Sequence, residues 1–319
     1  MSERIDVLGV GECSLDQVAR VEATPPVGGK ARILARERLA GGQIATALLG
    51  CARLGRSTAL LASVGDDSGA EHALAPLRAA GVDLSRVRRV AGAATRSAWI
   101  WVDERTGERT VLWERDERLA LGSDALARED VAGARLLLLD ATDLALALHA
   151  ARLARAEGLP CVVDADTPQP GLEELLATAT HPAISEGVAR ALFGSAERAV
   201  RELARAGALL PIVSCGARGS VAWLDGAAAR TGAFAVEVVD TTGAGDAFHA
   251  GLAHGLLGGL SGRTLLRTAH AVAACACLAR GAQGGLPTQA QLDAVLAAEP
   301  DARPAREDAR NPATPPRAR

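Results

Sequence analysis

The residues of this chain best equipped for chemistry lie together at Asp240-Thr241-Thr242-Gly243-Ala244-Gly245-Asp246. Ahead of them, Ala233 to Val238 alternates in the manner of a strand, and behind them the small and apolar run from Ala247 to Leu257 reads as a helix. A strand that ends in a glycine turn and opens a helix aims backbone N–H groups at one point, with the positive end of the helix dipole behind them. Such a cradle holds a phosphate or a developing phosphoryl charge. Asp246 stands at the end of the turn, where it could take a proton from a hydroxyl attacking that phosphorus. Phosphoryl transfer to an alcohol needs both parts. The plainer alternative is that Gly243 and Gly245 merely shape a turn and Asp246 caps a helix. The hydroxyls of Thr241 and Thr242, and the Ala/Gly-rich helix that other groups can approach closely, favour the chemical reading.

Composition bounds what must position these residues. The chain has 319 residues, 49% of them apolar, enough for a sizeable core without disulfides. Aromatics are 2% and Tyr is absent, so the core must be built from Leu, Val and Ala. A formal charge of −3, with Arg and acids interspersed, gives no reason to expect a nucleic-acid partner. No apolar run approaches the roughly 20 residues needed to span a membrane, and Met1-Ser2-Glu3-Arg4 carries no signal-peptide pattern. A soluble cytoplasmic protein is the expectation. The six cysteines are scattered in mostly apolar surroundings and read as free thiols, and the histidines show no ligand spacing. His249, His254 and His270 read as packing or surface residues.

Along the chain, Ile5–Gly11 reads as a buried first strand, followed by a helix from about Gln43 to Leu54, a strand at 58–64 and a helix from about Ala70 to Ala80. Strands at 135–140, 160–164, 182–185 and 209–214 then alternate with helices, the pattern of a mostly parallel sheet covered on both faces. Three helices are expected over 246–298. Two extended pairs, 13–21/31–39 and 96–103/109–113, fall outside this rhythm, the second around a hairpin turn at Arg105-Thr106-Gly107-Glu108. They read as a small β-lid (about 12–39 and 96–113) on a domain covering 1–299. Ordinary edge strands of the main sheet are the alternative. Residues 300–319, aperiodic and rich in Pro, Ala, Arg and Asp, read as a disordered tail.

Asp240 to Phe248 resembles, over its whole length, the C-terminal signature of the ribokinase/PfkB family of carbohydrate kinases. The resemblance implies a ribokinase-like three-layer α/β/α fold with a mostly parallel central sheet, and ATP-dependent phosphorylation of a sugar hydroxyl. It assigns Asp246 as general base and the amides at Gly243, Ala244 and Gly245 as the anion hole. Ala40-Gly41-Gly42, followed by a helix ending in Ala52-Arg53-Leu54-Gly55, is similar to the N-terminal signature and implies that Gly41 and Gly42 approach sugar hydroxyls. Thr46 stands where the family usually carries a sugar-binding Asn, and Asp16 matches a sugar-binding acid. Val213 to Ser220 resembles the nucleotide loop, with Ser214, Gly216 and Gly219 toward the ATP phosphates. Ala269 to Ala274, which includes His270, lies where the family packs a helix along adenine. Asp240 and Thr242 resemble positions that bind a monovalent cation such as K+ in some members.

The family's Asn-x-x-Glu element, which helps hold Mg2+, is replaced here by Ser185-Glu186-Gly187-Val188. Mg2+ is then expected to be held largely by ATP and water, or by neighbours such as Glu186 or Asp164. This variant, with Asp164 to Gly171 and the form of the first signature, is similar to the sulfofructose kinase branch. Lys30 falls where that branch places a cation for the substrate's terminal anion, whereas Trp113 and Thr142 replace its further polar ligands. A homodimer through the lid is implied by the same resemblance. Two other functions stay open: a kinase for a nucleoside or another small alcohol, and a non-catalytic protein that senses a sugar or nucleotide.

Overall fold

The computed structural model describes residues 4–106 and 109–298. The hairpin tip at Gly107 and Glu108 and the segment 300–319 lie outside the described residues. In chain order the strands are β1 (Ile5–Val10), β2 (Ser14–Val21), β3 (Ile33–Gly41), β4 (Thr58–Gly65), β5 (Val87–Val90), β6 (Ser97–Asp103), β7 (Arg109–Glu114), β8 (Ala134–Asp140), β9 (Cys161–Ala165), β10 (His181–Ser185), β11 (Ile212–Ser214), β12 (Ser220–Leu224) and β13 (Ala227–Thr231). The helices are α1 (Gln43–Arg53), α2 (Ser68–Ala79), α3 (Arg128–Ala132), α4 (Leu144–Ala156), α5 (Leu172–Thr178), α6 (Glu186–Phe193), α7 (Ala196–Arg205), α8 (Ala244–Leu257), α9 (Gly262–Ala276), α10 (Gly281–Gly284) and α11 (Gln289–Ala298).

Nine strands make one sheet in the order β13-β12-β11-β10-β9-β8-β1-β4-β5. All its pairings are parallel except the two made by β12, which is antiparallel to both β11 and β13. The leucine run of β8 shows how one strand serves two cores. Side chains alternate across a sheet, so Leu136 and Leu138 join the core beneath α1, α2, α8 and α9, while Leu137 and Leu139 join the core beneath α4 to α7. All four are fully buried, each stabilising the fold by roughly 1.5–3 kcal/mol. The result is three layers, α/β/α.

Helix α8 crosses the first core between α1 and α9, and its small residues permit that. A Cβ on Gly251 would come within 2.6 Å of the Ala269 backbone. The carboxyl ends of β1, β8, β9 and β10 open toward the N-terminus of α8, the usual place for a ligand crevice in such a sheet.

The remaining four strands form a separate sheet, β3-β2-β6-β7. Strand β2 pairs β3 antiparallel and β6 parallel, with Asp16 opposite both Leu39 and Ala98. Val18, Ala98, Ile100 and Val102 cluster with Leu39 on the face that also carries Asp16.

Two of the expected elements come out differently. Ala233 to Val238 is extended but is not a strand. Its alternation is real, since Phe234 is buried and Val236 half-buried while Ala235 and Glu237 are exposed. However, it joins no backbone ladder. Phe234 is held instead by packing and by the guanidinium of Arg267, 4.6 Å from its ring centroid. And 246–298 holds four helices rather than three, because the glycine-rich stretch at 281–284 makes a short turn of its own.

Candidate active site

The turn before α8 is fixed from both sides. Gly243 sits at φ 78°, and a Cβ there would approach the Ala282 carbonyl oxygen to 2.4 Å. Only glycine fits a left-handed position against such a neighbour. Asp240 braces the turn with both carboxylate oxygens, accepting from Thr242 N at 2.8 Å and from Gly281 N at 2.9 Å. Gly245 is the opposite case. A Cβ there would meet nothing within 4 Å, so the backbone of the first helical turn borders open space. Asp246 follows directly and is half-buried. From the second sheet, Arg109 Nη1 donates to Thr241 Oγ1 at 2.7 Å.

Carboxylates crowd the cleft beside this turn. Burial, followed by the charges of Asp164, Asp166, Glu12 and Asp16, raises the Asp246 carboxyl well above its ordinary range. Burial does the same for Asp164, with Asp166 and Asp140 adding to it. Glu12 is pushed up to about 8 by burial, against the pull of Arg96, whose Nε lies 2.6 Å from Glu12 Oε2. Asp140 is pushed up to about 6 by burial, although it accepts from Glu12 N at 2.6 Å and Thr142 N at 2.9 Å. Asp16 is raised by burial, offset in part by Ser14, whose hydroxyl donates to it at 3.2 Å. So many acids made uneasy by burial and by one another mark a site built to receive hydroxyls and cations.

On the side of β2, β3 and α1, Gly41 and Gly42 meet Asp16 and Glu12. A Cβ on Gly41 would lie 2.3 Å from Asp16 Oδ2, and one on Gly42 (φ 95°) would lie 2.6 Å from the Glu12 carbonyl oxygen. Thr46 is fully buried on α1 and its hydroxyl accepts from Gln283 Nε2 at 3.4 Å. Gln283 Oε1 is itself buried without a partner. A pocket lined by Glu12, Ser63, Arg96, Arg115, Thr142 and Asp143 opens here. Arg115 is bidentate to Asp143 at 2.8 and 3.0 Å, and Arg96 lies under Trp113, 5.3 Å from its ring centroid. Lys30 is exposed in the loop between β2 and β3.

On the other side, Ser214 ends β11 and donates to the Ile184 carbonyl at 3.4 Å. Gly216 (φ 58°) borders open space, whereas Gly219 is wedged against the Thr231 carbonyl. His270 and Ala274 are buried on α9, and His270 Nε2 lies 2.9 Å from Ser220 Oγ. Glu186 is engaged by Arg218 at 2.5 Å, and Asp164 by His249 at 3.2 Å. Among the described residues no group of three or more His, Cys, Asp or Glu side chains is arranged around one ion. Nor is any helix long and apolar enough to cross a membrane.

Three participants escape sequence reasoning. Arg109 is 132 positions from Thr241, and Arg96 reaches Glu12 across the chain. His249, expected as packing or surface, is buried, with protein oxygens within hydrogen-bond reach of both ring nitrogens. Only the alternation of β6 and β7, which puts Arg109 opposite Val102 on the face of Asp16, hints at the first.

A three-layer α/β/α body, an acid-lined crevice at its strand ends and a helix N-terminus facing open space together define a phosphotransferase-like architecture. Residues 4–289 match the pfkB family of carbohydrate kinases, and the chain belongs to that family. It is 25% identical to the ribokinase of Bacillus subtilis over 296 residues, covering 90% of this chain and 98% of that one. It superposes on a provisionally assigned ribokinase from Agrobacterium tumefaciens with a TM-score of 0.86 and 30% identity, over 92% of this chain and 98% of the other. The fold is also that of Arabidopsis thaliana ribokinase solved with ribose and ATP (TM-score 0.77, 24% identity, 92% and 99% covered). The chain is accordingly an ATP-dependent kinase with an alcohol group as acceptor.

Proposed function

We propose that this enzyme phosphorylates a hydroxyl of an uncharged sugar, with Asp246 as general base. One observation carries the reading: Asp246 directly follows a helix-opening glycine whose missing side chain leaves the space a phosphoryl group needs. Asp246 accepts the proton of the attacking hydroxyl, and the amides at 243–246 face the charge that develops on the phosphoryl oxygens. Asp16, with the backbone of Gly41 and Gly42, orients the acceptor, and Glu12, Asp140 and Thr142 offer further hydroxyl partners. Thr46 acts through Gln283. Ser214, Gly216 and Gly219 border the nucleotide phosphates, with His270 and Ala274 backing the adenine end. Mg2+ brought with the nucleotide supplies charge neutralisation, held by ATP and water; the raised carboxyl groups around Asp246 are the chemistry that suits its arrival. Asp240 and Thr242 could share a K+ ion at the braced turn.

The acceptor is read as uncharged because the two guanidinium groups of the pocket are already matched, Arg96 with Glu12 and Arg115 with Asp143. Neither guanidinium is left without a carboxyl partner to meet a sulfonate or phosphate, and Lys30 stands exposed in a loop. Trp99 and Leu112, about half exposed on the face of the lid opposite Asp16, suit a homodimer formed through the lid in the cytoplasm. The test is ATP consumption over neutral hexoses and pentoses, ketose phosphates, sulfosugars and nucleosides. Turnover with neutral sugars is expected. Preference for a sulfosugar or sugar phosphate would overturn the substrate reading, and no turnover with any alcohol would overturn the kinase reading.

A further inference from the structure

At the nucleotide end of the crevice, one acid and one guanidinium occupy each other. Glu186 is the first residue of α6, directly after the carboxyl end of β10. Arg218 ends the short turn Gly216–Arg218 that follows β11. Strands β10 and β11 run parallel with Ser185 opposite Ser214, so both residues leave the sheet at the same rim. Arg218 Nη2 donates to Glu186 Oε2 at 2.5 Å, and Arg190 stands farther off, 3.8 Å from Oε1. The two side chains of the closer pair are 59% and 33% exposed, so water can replace either partner. An ion pair of that kind adds little to stability. Its surroundings give it another use. The loop from Ser214 to Gly219 contains a single cation, Arg218. Asp164 at the end of the neighbouring strand β9, Asp166 just beyond it and Asp246 on α8 are all acids. A triphosphate brings several more negative charges to this rim, and Mg2+ offsets only part of them. A Cβ on Gly216 would meet nothing within 4 Å, so the turn that carries Arg218 has room beside it.

We propose that Arg218 is a phosphate-binding residue held in reserve by Glu186. The guanidinium leaves the carboxylate as nucleotide enters and donates to phosphate oxygens in its place. A planar guanidinium suits either anion through its paired N–H donors, and the exposed pair it gives up is weak. Glu186 therefore acts against nucleotide in the resting enzyme, and does not hold the metal. That fixes a sign. A carboxylate that holds Mg2+ strengthens nucleotide binding, whereas one that occupies Arg218 weakens it. The inference rests on the kinase reading.

The test is calorimetric titration of the whole enzyme with ATP, with and without Mg2+ and with no acceptor present. Arg218→Ala should weaken ATP roughly 10–100-fold, the scale of a hydrogen bond to a charged group. Glu186→Gln should tighten ATP about 1.5- to fivefold, the worth of an exposed ion pair, whether or not Mg2+ is present. In an Arg218→Ala background the gain from Glu186→Gln should vanish, because the two residues act as one unit. A gain of the same size in that background would be bulk charge alone and overturns the proposal. Weaker MgATP binding by Glu186→Gln overturns it as well, since Glu186 would then support the metal. Equal ATP affinity in wild type and Arg218→Ala removes the exchange and leaves the kinase reading standing. A wild-type enzyme that binds no nucleotide fells both.

Discussion

The two ends of the cleft use glycine for opposite reasons. At the end proposed to hold the acceptor, Gly41 and Gly42 are crowded, and a methyl group on either would strike Asp16 or the backbone of Glu12. At the end proposed to hold the phosphoryl group, a methyl group on Gly245 would meet nothing within 4 Å. The first pair lets a carboxylate and a main chain come close together and so shapes the protein. The other keeps a volume free that the protein itself does not use. A glycine that packs is explained by its neighbours, and a glycine that faces a void is explained by what enters it.

Substitutions at each end sharpen that contrast. The largest effect is expected next to the void: Asp246→Asn should lower kcat by ~10²–10⁴-fold, the usual worth of a general base, with little change in sugar affinity by calorimetry. Gly245→Ala comes next, with kcat down by ~10²–10³ as cradle donors are obstructed. Its thermal midpoint should be unchanged or slightly raised, since alanine suits a helical turn better. An active Gly245→Ala enzyme would dissolve the distinction between the two ends. Gly42→Ala should do the reverse, losing about 1–3 kcal/mol of stability to backbone strain at φ 95°. Chemical unfolding would measure it, and sugar KM should rise with it.

The smallest effect concerns acidity. Glu12, held near 8, binds a proton more tightly folded than unfolded, as do Asp164 and Asp246. Stability contributed by such groups declines as pH rises from the ordinary carboxyl range to the folded value. The neutral rings of buried His181 and His270 and of half-buried His254, lowered to about 4 by desolvation, act oppositely and only below their unfolded value of 6.5. Between about pH 6.5 and 8 the carboxyls stand alone, so the ligand-free enzyme should lose stability across that window. The slope is at most ~1.4 kcal/mol per pH unit per group. Glu12→Gln should reduce it in urea unfolding series at stepped pH.

Much of this was legible in the residues. The glycine turn that opens α8 shows in the local spacing of Asp240 to Asp246, and the leucine-rich β8 announces a two-sided sheet. What escaped is long-range or depends on a partner. Residues 233–238 alternate like a strand, but alternation reports which side is buried and not whether another backbone lies within reach. Strands β5, β12 and β13 are short and partly exposed, and little in their composition separates them from loop. The pairing of Arg109 with Thr241 and the oxygens around His249 follow from chain topology. A histidine in an apolar helix looks like filler until the strands beneath it are placed.

Asp16 and Gly41 belong to β2 and β3, two strands of the separate four-stranded sheet. If Asp16 and Gly41 hold the acceptor as proposed, the sheet that binds it also reaches the phosphoryl turn, through Arg109 on Thr241.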